Sequence, residues 1–118
     1  MTTWRSYLQV RSGVLKLLVV NGQGEALLKA RLPERPHHPR AVVTLLEGMA
    51  LHSGAPLCAV IDATGYAGRA LGSDEYFDEW PAQSALVRFE FAHRCGHGRG
   101  QKGLGDFGQL HRMGRVRT

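Results

Sequence analysis

Residues 7–31 read YLQVRSGVLKLLVVNGQGEALLKAR, and this stretch decides the fold. Tyr7–Arg11 and Glu25–Arg31 alternate apolar and polar residues, which is the pattern of half-buried strands. Val14–Val20 is almost continuously apolar and predicts a more deeply buried strand. Residues 21–24 contain two glycines, which suit the positive φ angles of a hairpin turn. The stretch therefore predicts an antiparallel meander of three strands.

The next segments predict a helix followed by a buried strand. Between Arg40 and His52, apolar residues recur at helical spacing. Gly54 and Pro56 follow, as is typical of a helix end. Leu57–Ile61 is a continuous apolar run, which favours a central strand covered on both faces. Leu86–Ala92 predicts another strand. Weaker patterns predict a short helix at Thr64–Leu71, a loop or short helix at Asp74–Ala85, a glycine-rich loop at Gly96–Gly105 and one or two helical turns within Leu104–Met113.

This order of elements predicts the α/β class. A meander followed by a helix and a buried strand gives a mixed five-stranded sheet with helices on its faces. The pattern contains no internal repeat, and we expect one domain over residues 1–118. Hydrophobic residues make up 43% and charged residues 21% of the chain, which excludes a disordered composition.

The sequence also predicts where in the cell the protein is located. The longest apolar runs are short, so we expect no membrane span. The first five residues lack the apolar stretch of a secretory signal. Two cysteines, Cys58 and Cys95, make no disulfide framework. We therefore expect a cytoplasmic protein.

The positive charge is concentrated at one end of the chain. The formal net charge is +5, and residues 92–118 carry six lysines and arginines against one acid, Asp106. The preceding residues are neutral overall, so the basic, glycine-rich segment 93–118 carries the excess. A basic segment on a neutral body predicts a polyanionic partner, most often nucleic acid. The alternative is a segment that only aids solubility.

Several short motifs, taken in order, resemble the type 1 ribonuclease H family. The resemblance runs from about Tyr7 to Leu110 and implies an RNase H-like fold. Its motifs are GQGEAL at Gly22–Leu27, TLLEGMAL at Thr44–Leu51, AVIDA at Ala59–Ala63, VRFEF at Val87–Phe91, and then His97 and Asp106 with Phe107 and Leu110.

The resemblance implies hydrolysis of phosphodiester bonds with Mg²⁺ or Mn²⁺ held between acidic residues. It implies catalytic roles for Asp62, Asp106 and His97, and metal-ligand roles for Asp62 and Asp106. Two of the family's four acids are missing, because Arg11-Ser12 and Ala41 stand where they are expected. Glu47 is a possible substitute ligand. From the residues alone, Asp62 and Asp106 could instead cap neighbouring segments.

The resemblance also implies a surface for an RNA/DNA hybrid or another duplex. Basic and histidine side chains donate to phosphate and sugar oxygens at such surfaces. The residues expected there are Arg11, His37, His38, Arg40, Arg94, Arg99 and Lys102.

Three functions follow as hypotheses. The first is an RNase H-like nucleic-acid-binding domain whose acid site is incomplete and whose nuclease activity is weak or absent. The second is an active Mg²⁺- or Mn²⁺-dependent ribonuclease H with a rearranged set of acids. The third is a protein–protein interaction module. The chain is an enzyme under the second hypothesis. The sequence leaves the oligomeric state of the chain open under all three.

Overall fold

The computed structural model describes residues 4–11, 14–33, 38–62, 84–94 and 103–117. One mixed sheet has the strand order β3-β2-β1-β4-β5-β6. The pairs β1–β2, β2–β3 and β5–β6 are antiparallel, whereas β1–β4 and β4–β5 are parallel. The elements are β1 (Arg5–Arg11), β2 (Val14–Val20), β3 (Ala26–Pro33), α1 (His38–Ser53), β4 (Leu57–Asp62), β5 (Val87–Arg94), α2 (Leu104–Arg112) and β6 (Val116–Arg117).

The predicted α/β class and the mixed sheet are confirmed. The sheet differs from the expected five strands by β6, a two-residue strand beside β5. β6 exists through its pairing with β5 and has no pattern of its own. The weaker predictions at Thr64–Leu71 and Asp74–Ala85 fall largely or wholly outside the described residues. Neither described helix has the length and apolar content needed to cross a membrane.

The turn between β2 and β3 is organised by one side chain. Asn21 Oδ1 accepts hydrogen bonds from the backbone N–H groups of Gln23 at 3.0 Å and Glu25 at 2.9 Å. Gly24 has φ +84°, a conformation that glycine adopts without steric cost. The hairpin predicted from residues 21–24 is thereby confirmed. β3 continues to Pro33, which an edge strand tolerates because proline lacks only a donor.

The first face of the sheet is apolar and is covered by α1. Its cluster contains Leu8, Leu17 and Ile61 from the strands, and Val42 and Leu46 from the helix, all buried. These helix positions belong to the apolar stripe seen in the sequence. α1 ends at the predicted glycine, since Gly54 has φ +79° and its N–H donates to the Ala50 carbonyl at 3.0 Å.

The second face carries α2, which packs against β1 and β2. The Tyr7 ring is fully buried there and meets Phe107 edge-on, with ring centroids 5.9 Å apart. Gly108 lies directly over the same ring. A Cβ atom added at Gly108 would come within 2.9 Å of Tyr7 Cδ2. The helix backbone can therefore lie this close to the sheet only because residue 108 has no side chain.

The far end of α2 is attached to the same tyrosine. The Tyr7 hydroxyl lies 3.1 Å from His111 Nδ1, and the hydroxyl donates when that nitrogen carries no proton. The Arg112 guanidinium lies 5.9 Å from the Tyr7 ring centroid. Burial lowers the pKa of His111; Arg5 and Arg112 lower it further, and Glu90 opposes them. Burial also raises the pKa of Tyr7, so the hydroxyl keeps its proton at neutral pH.

A methyl group at position 108 should destabilise the fold. We expect Gly108→Ala to reduce the free energy of unfolding by about 1–3 kcal/mol, the usual cost of overpacking a rigid contact. Gly105→Ala on the same helix is the matched control, because its Cβ meets no atom within 4 Å. The control should gain roughly 0.5–1 kcal/mol from the better helix former. Urea unfolding measures both, and equal effects would contradict the close contact.

Acid should weaken the attachment of α2 through His111. The folded state disfavours the imidazolium, whereas the unfolded chain takes up the proton near the ordinary pKa of 6.5. The contribution of His111 is therefore complete above that pH and decreases as the pH falls below it. Urea titrations from pH 7.5 to 5 should show this decrease, and His111→Gln should flatten it. Gln109→Leu, at an exposed position of α2, leaves His111 in place and should keep the slope.

Candidate functional site

Three parallel strands end at one edge of the sheet. β1 ends at Arg11, β4 at Asp62 and β5 at Arg94. Their registers place these ends within about two residues of one another, since Leu8 pairs with Ile61 and Asp62 pairs with Ala92. The backbone thus brings three of the predicted site residues to one edge, where β4 ends in a carboxylate and the strands on either side of it end in arginine.

Asp62 is buried, with 3% of its surface exposed. The side chain of Gln9 on β1 donates a hydrogen bond from Nε2 to Asp62 Oδ2 at 3.0 Å. Gln9 is itself 1% exposed. A β1 residue that reaches Asp62 is therefore a neutral amide, Gln9, two positions before Arg11. The alignment of Arg11-Ser12 with the missing first acid identified the right strand end but missed this residue.

Asp106 lies in the first turn of α2 and is partly buried. The helix begins after Gly103, so Asp106 is not the N-cap residue. Its Oδ2 lies 3.7 Å from the position that a Cβ of Gly103 would occupy, so the side chain folds back toward the start of the helix. A carboxylate there is stabilised by the partial positive charge of the helix N-terminus. Asp106 therefore has a helix-stabilising role on the described geometry.

Glu47 is at the other end of the parallel strands. Its Oε2 accepts a hydrogen bond from the Ser84 hydroxyl at 3.0 Å, and Ser84 Oγ accepts the backbone N–H groups of Leu86 and Val87. Val87 pairs with Leu57 at the start of β4, roughly 16 Å along the strand from Asp62. The structure does not bring Glu47 to Asp62, and the glutamate instead anchors the start of β5.

The predicted nucleic-acid contacts are only partly described. Arg40 lies exposed near the start of α1, and its carbonyl accepts a hydrogen bond from the Thr44 hydroxyl. β3 and β1 run in the same direction, so α1 follows β3 from the edge that holds Asp62. His38 begins α1 and so belongs to the helix, not to the turn before it. His37, Arg99 and Lys102 lie outside the described residues, as does His97, for which a catalytic role is predicted.

No group of three or more histidine, cysteine, aspartate or glutamate side chains within the described ranges could hold a metal ion. Of the three acids that sequence reasoning joined into one site, Asp62 and Glu47 lie at opposite ends of the parallel strands, and Asp106 lies in the first turn of α2. The predicted Mg²⁺ or Mn²⁺ site therefore has no complete set of ligands in the part of the chain that the structure describes.

A basic cluster was missed by sequence reasoning. Lys16 on β2 pairs with Gln9 on one side and with Arg31 of β3 on the other. Lys29 lies two residues before Arg31, so alternation puts it on the same face. The alternating pattern of β3 could have revealed the pair on that strand. The register that sets Lys16 opposite Arg31 is a tertiary property that the pattern does not contain.

The comparisons with known proteins leave the family open. No protein-family model and no curated protein matches this sequence. Among solved structures, the chain is similar to the Aquifex aeolicus member of the Ppx/GppA protein family, with a TM-score of 0.40 and 9% sequence identity. The match covers 77% of this chain and 36% of that protein, so the chain spans about a third of its length. At this TM-score the likeness does not establish a shared fold.

Removing the amide of Gln9 should destabilise the protein through Asp62. Gln9→Leu takes away a donor from a buried carboxylate, which costs about 1–3 kcal/mol of the free energy of unfolding. Gln109→Leu, at an exposed position of α2, is the control and should change stability by less than about 0.5 kcal/mol. Chemical unfolding of both variants gives the comparison. A Gln9→Leu variant as stable as the control would mean that the bond contributes nothing.

Proposed function

We propose that this chain is a compact RNase H-like domain that binds an RNA/DNA hybrid or another nucleic-acid duplex and has little or no nuclease activity. The binding surface in this proposal is the basic edge where β1, β4 and β5 end, together with the start of α1. Within the described residues, no group of three acids converges at that edge, so the proposed domain has a nucleic-acid surface without the means to hold two metal ions.

The hydrogen bond from Gln9 to Asp62 is the observation that carries this proposal. Two-metal hydrolysis needs several carboxylate oxygens converging on one point, because Mg²⁺ and Mn²⁺ prefer anionic oxygen ligands. Here the neighbour of Asp62 on β1 is a neutral amide that occupies one carboxylate oxygen at 3.0 Å. The next residue across the sheet is Lys16, whose positive charge opposes a cation.

The strand order supports the RNase H-like part of the proposal. β1, β2 and β3 form an antiparallel meander, and β4 and β5 lie parallel to β1 on its other side. This arrangement agrees with the fold that the sequence motifs imply. The charge distribution supports the binding part. The excess of +5 lies in residues 92–118, which include the end of β5 at the same edge.

Binding should depend on salt as phosphate contacts require. We expect the logarithm of the affinity for a short RNA/DNA hybrid to fall linearly with the logarithm of the salt concentration. Arg40→Gln should weaken binding and reduce the magnitude of that slope by about one unit, because it removes one phosphate contact. Fluorescence anisotropy over a salt series measures both. An affinity that does not respond to salt would contradict the phosphate contacts.

Nuclease assays on the same protein preparations test whether the domain cleaves the RNA/DNA hybrid. We expect no hybrid cleavage with Mg²⁺ or Mn²⁺, and no rise of the thermal midpoint on adding either ion. Gln9→Glu puts a second carboxylate beside Asp62 without changing the side-chain size, so this variant should gain stability from Mn²⁺. Cleavage by the wild-type chain that disappears in Asp62→Asn would establish the active ribonuclease instead.

A further inference from the structure

A cleft of about 450 Å³ lies between the β2–β3 hairpin and the first turn of α2. Its volume falls within the range of small-molecule binding sites. The cleft lies beside the edge that holds Asp62, and Lys16 borders both, but the rest of its lining comes from β2, β3 and the start of α2. The lining includes Lys16, Leu18, Lys29, Arg31, Leu104 and Gly105.

Three cations of this lining stand next to one another. Lys16 and Arg31 are direct partners across the antiparallel ladder, and Lys29 lies two residues before Arg31. Direct partners have Cβ atoms about 4.5–5.5 Å apart, and like charges at that distance destabilise the sheet. Within the described residues, none of these cations has a carboxylate at ion-pair distance; the ion pair found there joins Arg88 and Glu90. The cluster is thus a repulsive arrangement that an anion would relieve.

The cleft also suits close approach by an anion. Leu18 and Leu104 contribute apolar walls, which lower the local dielectric and strengthen charge interactions. A Cβ atom at Gly105 would meet no atom within 4 Å, so the space beside this residue is open. The guanidinium of Arg31 matches the geometry of phosphate oxygens, and each lysine adds a mobile point charge. Three positive charges match a multiply charged group better than a single carboxylate.

We propose that this cleft is a binding site for the phosphate groups of a multiply charged anion. The phosphates come either from a free polyphosphate compound or from a nucleic-acid backbone, and both share the chemistry that Lys16, Lys29 and Arg31 recognise. The site does not depend on the acid site at Asp62 or on the contacts at Arg40.

Titration with inorganic tripolyphosphate tests the site directly. Isothermal calorimetry should detect binding to the wild-type chain. Lys16→Gln and Arg31→Gln should each weaken it about tenfold or more, since each removes a charge-assisted hydrogen bond. Arg88→Gln is the matched control, because its side chain is 75% exposed and lies on β5, away from the cleft. The control should stay within about twofold of the wild type, as expected for a distant screened charge.

A second variant separates lost binding from lost folding. Arg31→Glu places a carboxylate opposite Lys16, so it replaces repulsion with attraction across the ladder. It should raise the thermal midpoint of the protein without ligand and abolish tripolyphosphate binding. The gain in stability shows that the variant is folded, and the loss of binding then reports on the cleft alone.

Competition identifies the source of the phosphate. If an RNA/DNA hybrid displaces tripolyphosphate and loses affinity in Lys16→Gln, the cleft takes backbone phosphates. If the hybrid leaves tripolyphosphate in place, the cleft serves a free phosphate compound; both results support the site. No binding of tripolyphosphate at millimolar concentration, or equal weakening in Arg88→Gln, would overturn it. Neither of these two results would change how the affinity of Arg40→Gln for the hybrid depends on salt. The two proposals are therefore tested separately.

Discussion

The contact between the Tyr7 ring and the backbone of Gly108 fixes α2 on the sheet. Because a Cβ at residue 108 would come within 2.9 Å of the ring, the helix axis lies nearer the strands than a side chain would permit. Two other residues of α2 contact the same tyrosine: Phe107 meets its ring edge-on, and His111 Nδ1 lies at hydrogen-bond distance from its hydroxyl. The positions of the α2 residues on this face, including Asp106 and Leu104 at the wall of the cleft, follow from that approach.

The two faces of the sheet differ in polarity. The face under α1 is apolar and carries the core that holds the strands together. The other face is mixed, with a row that crosses the sheet from Arg31 through Lys16 and Gln9 to Asp62. Adjacent strands are about 4.8 Å apart, so this row spans roughly 14 Å. Two cations that have no ion-pair partner among the described residues and a buried carboxylate thus share one surface, with a neutral amide between them.

Much of the fold was predictable because it depends on local pattern. Alternation and continuous apolar runs located β1, β2, β4 and β5 to within a few residues, and the glycine at 54 marked the end of α1. β6 was not predictable, since two residues paired to β5 leave no periodic signal. α2 was expected only as a turn or two, because its glycines are poor helix formers and its stability comes from packing on Tyr7.

The candidate site was less predictable than the fold, and for a different reason. The sequence shows which residues end strands, so Asp62 and Arg11 were expected near one edge. It does not show register, so sequence reasoning considered Arg11-Ser12 at this strand end and did not single out Gln9, whose amide donates to Asp62. Glu47 is a similar case, because its partner Ser84 is 37 positions away and the bond depends on how α1 crosses to β5.

β3 is an edge strand of the sheet in the described part of the chain. The backbone N–H and C=O groups on its outer side therefore face away from β2. Another copy of the protein can add a strand to such an edge, and repeated addition leads to aggregation. Charged side chains at Lys29 and Arg31 and the missing N–H of Pro33 discourage this addition. Lys29 and Arg31, which line the proposed anion site, therefore also protect against aggregation, and a variant that neutralises them for stability would expose an edge prone to strand addition.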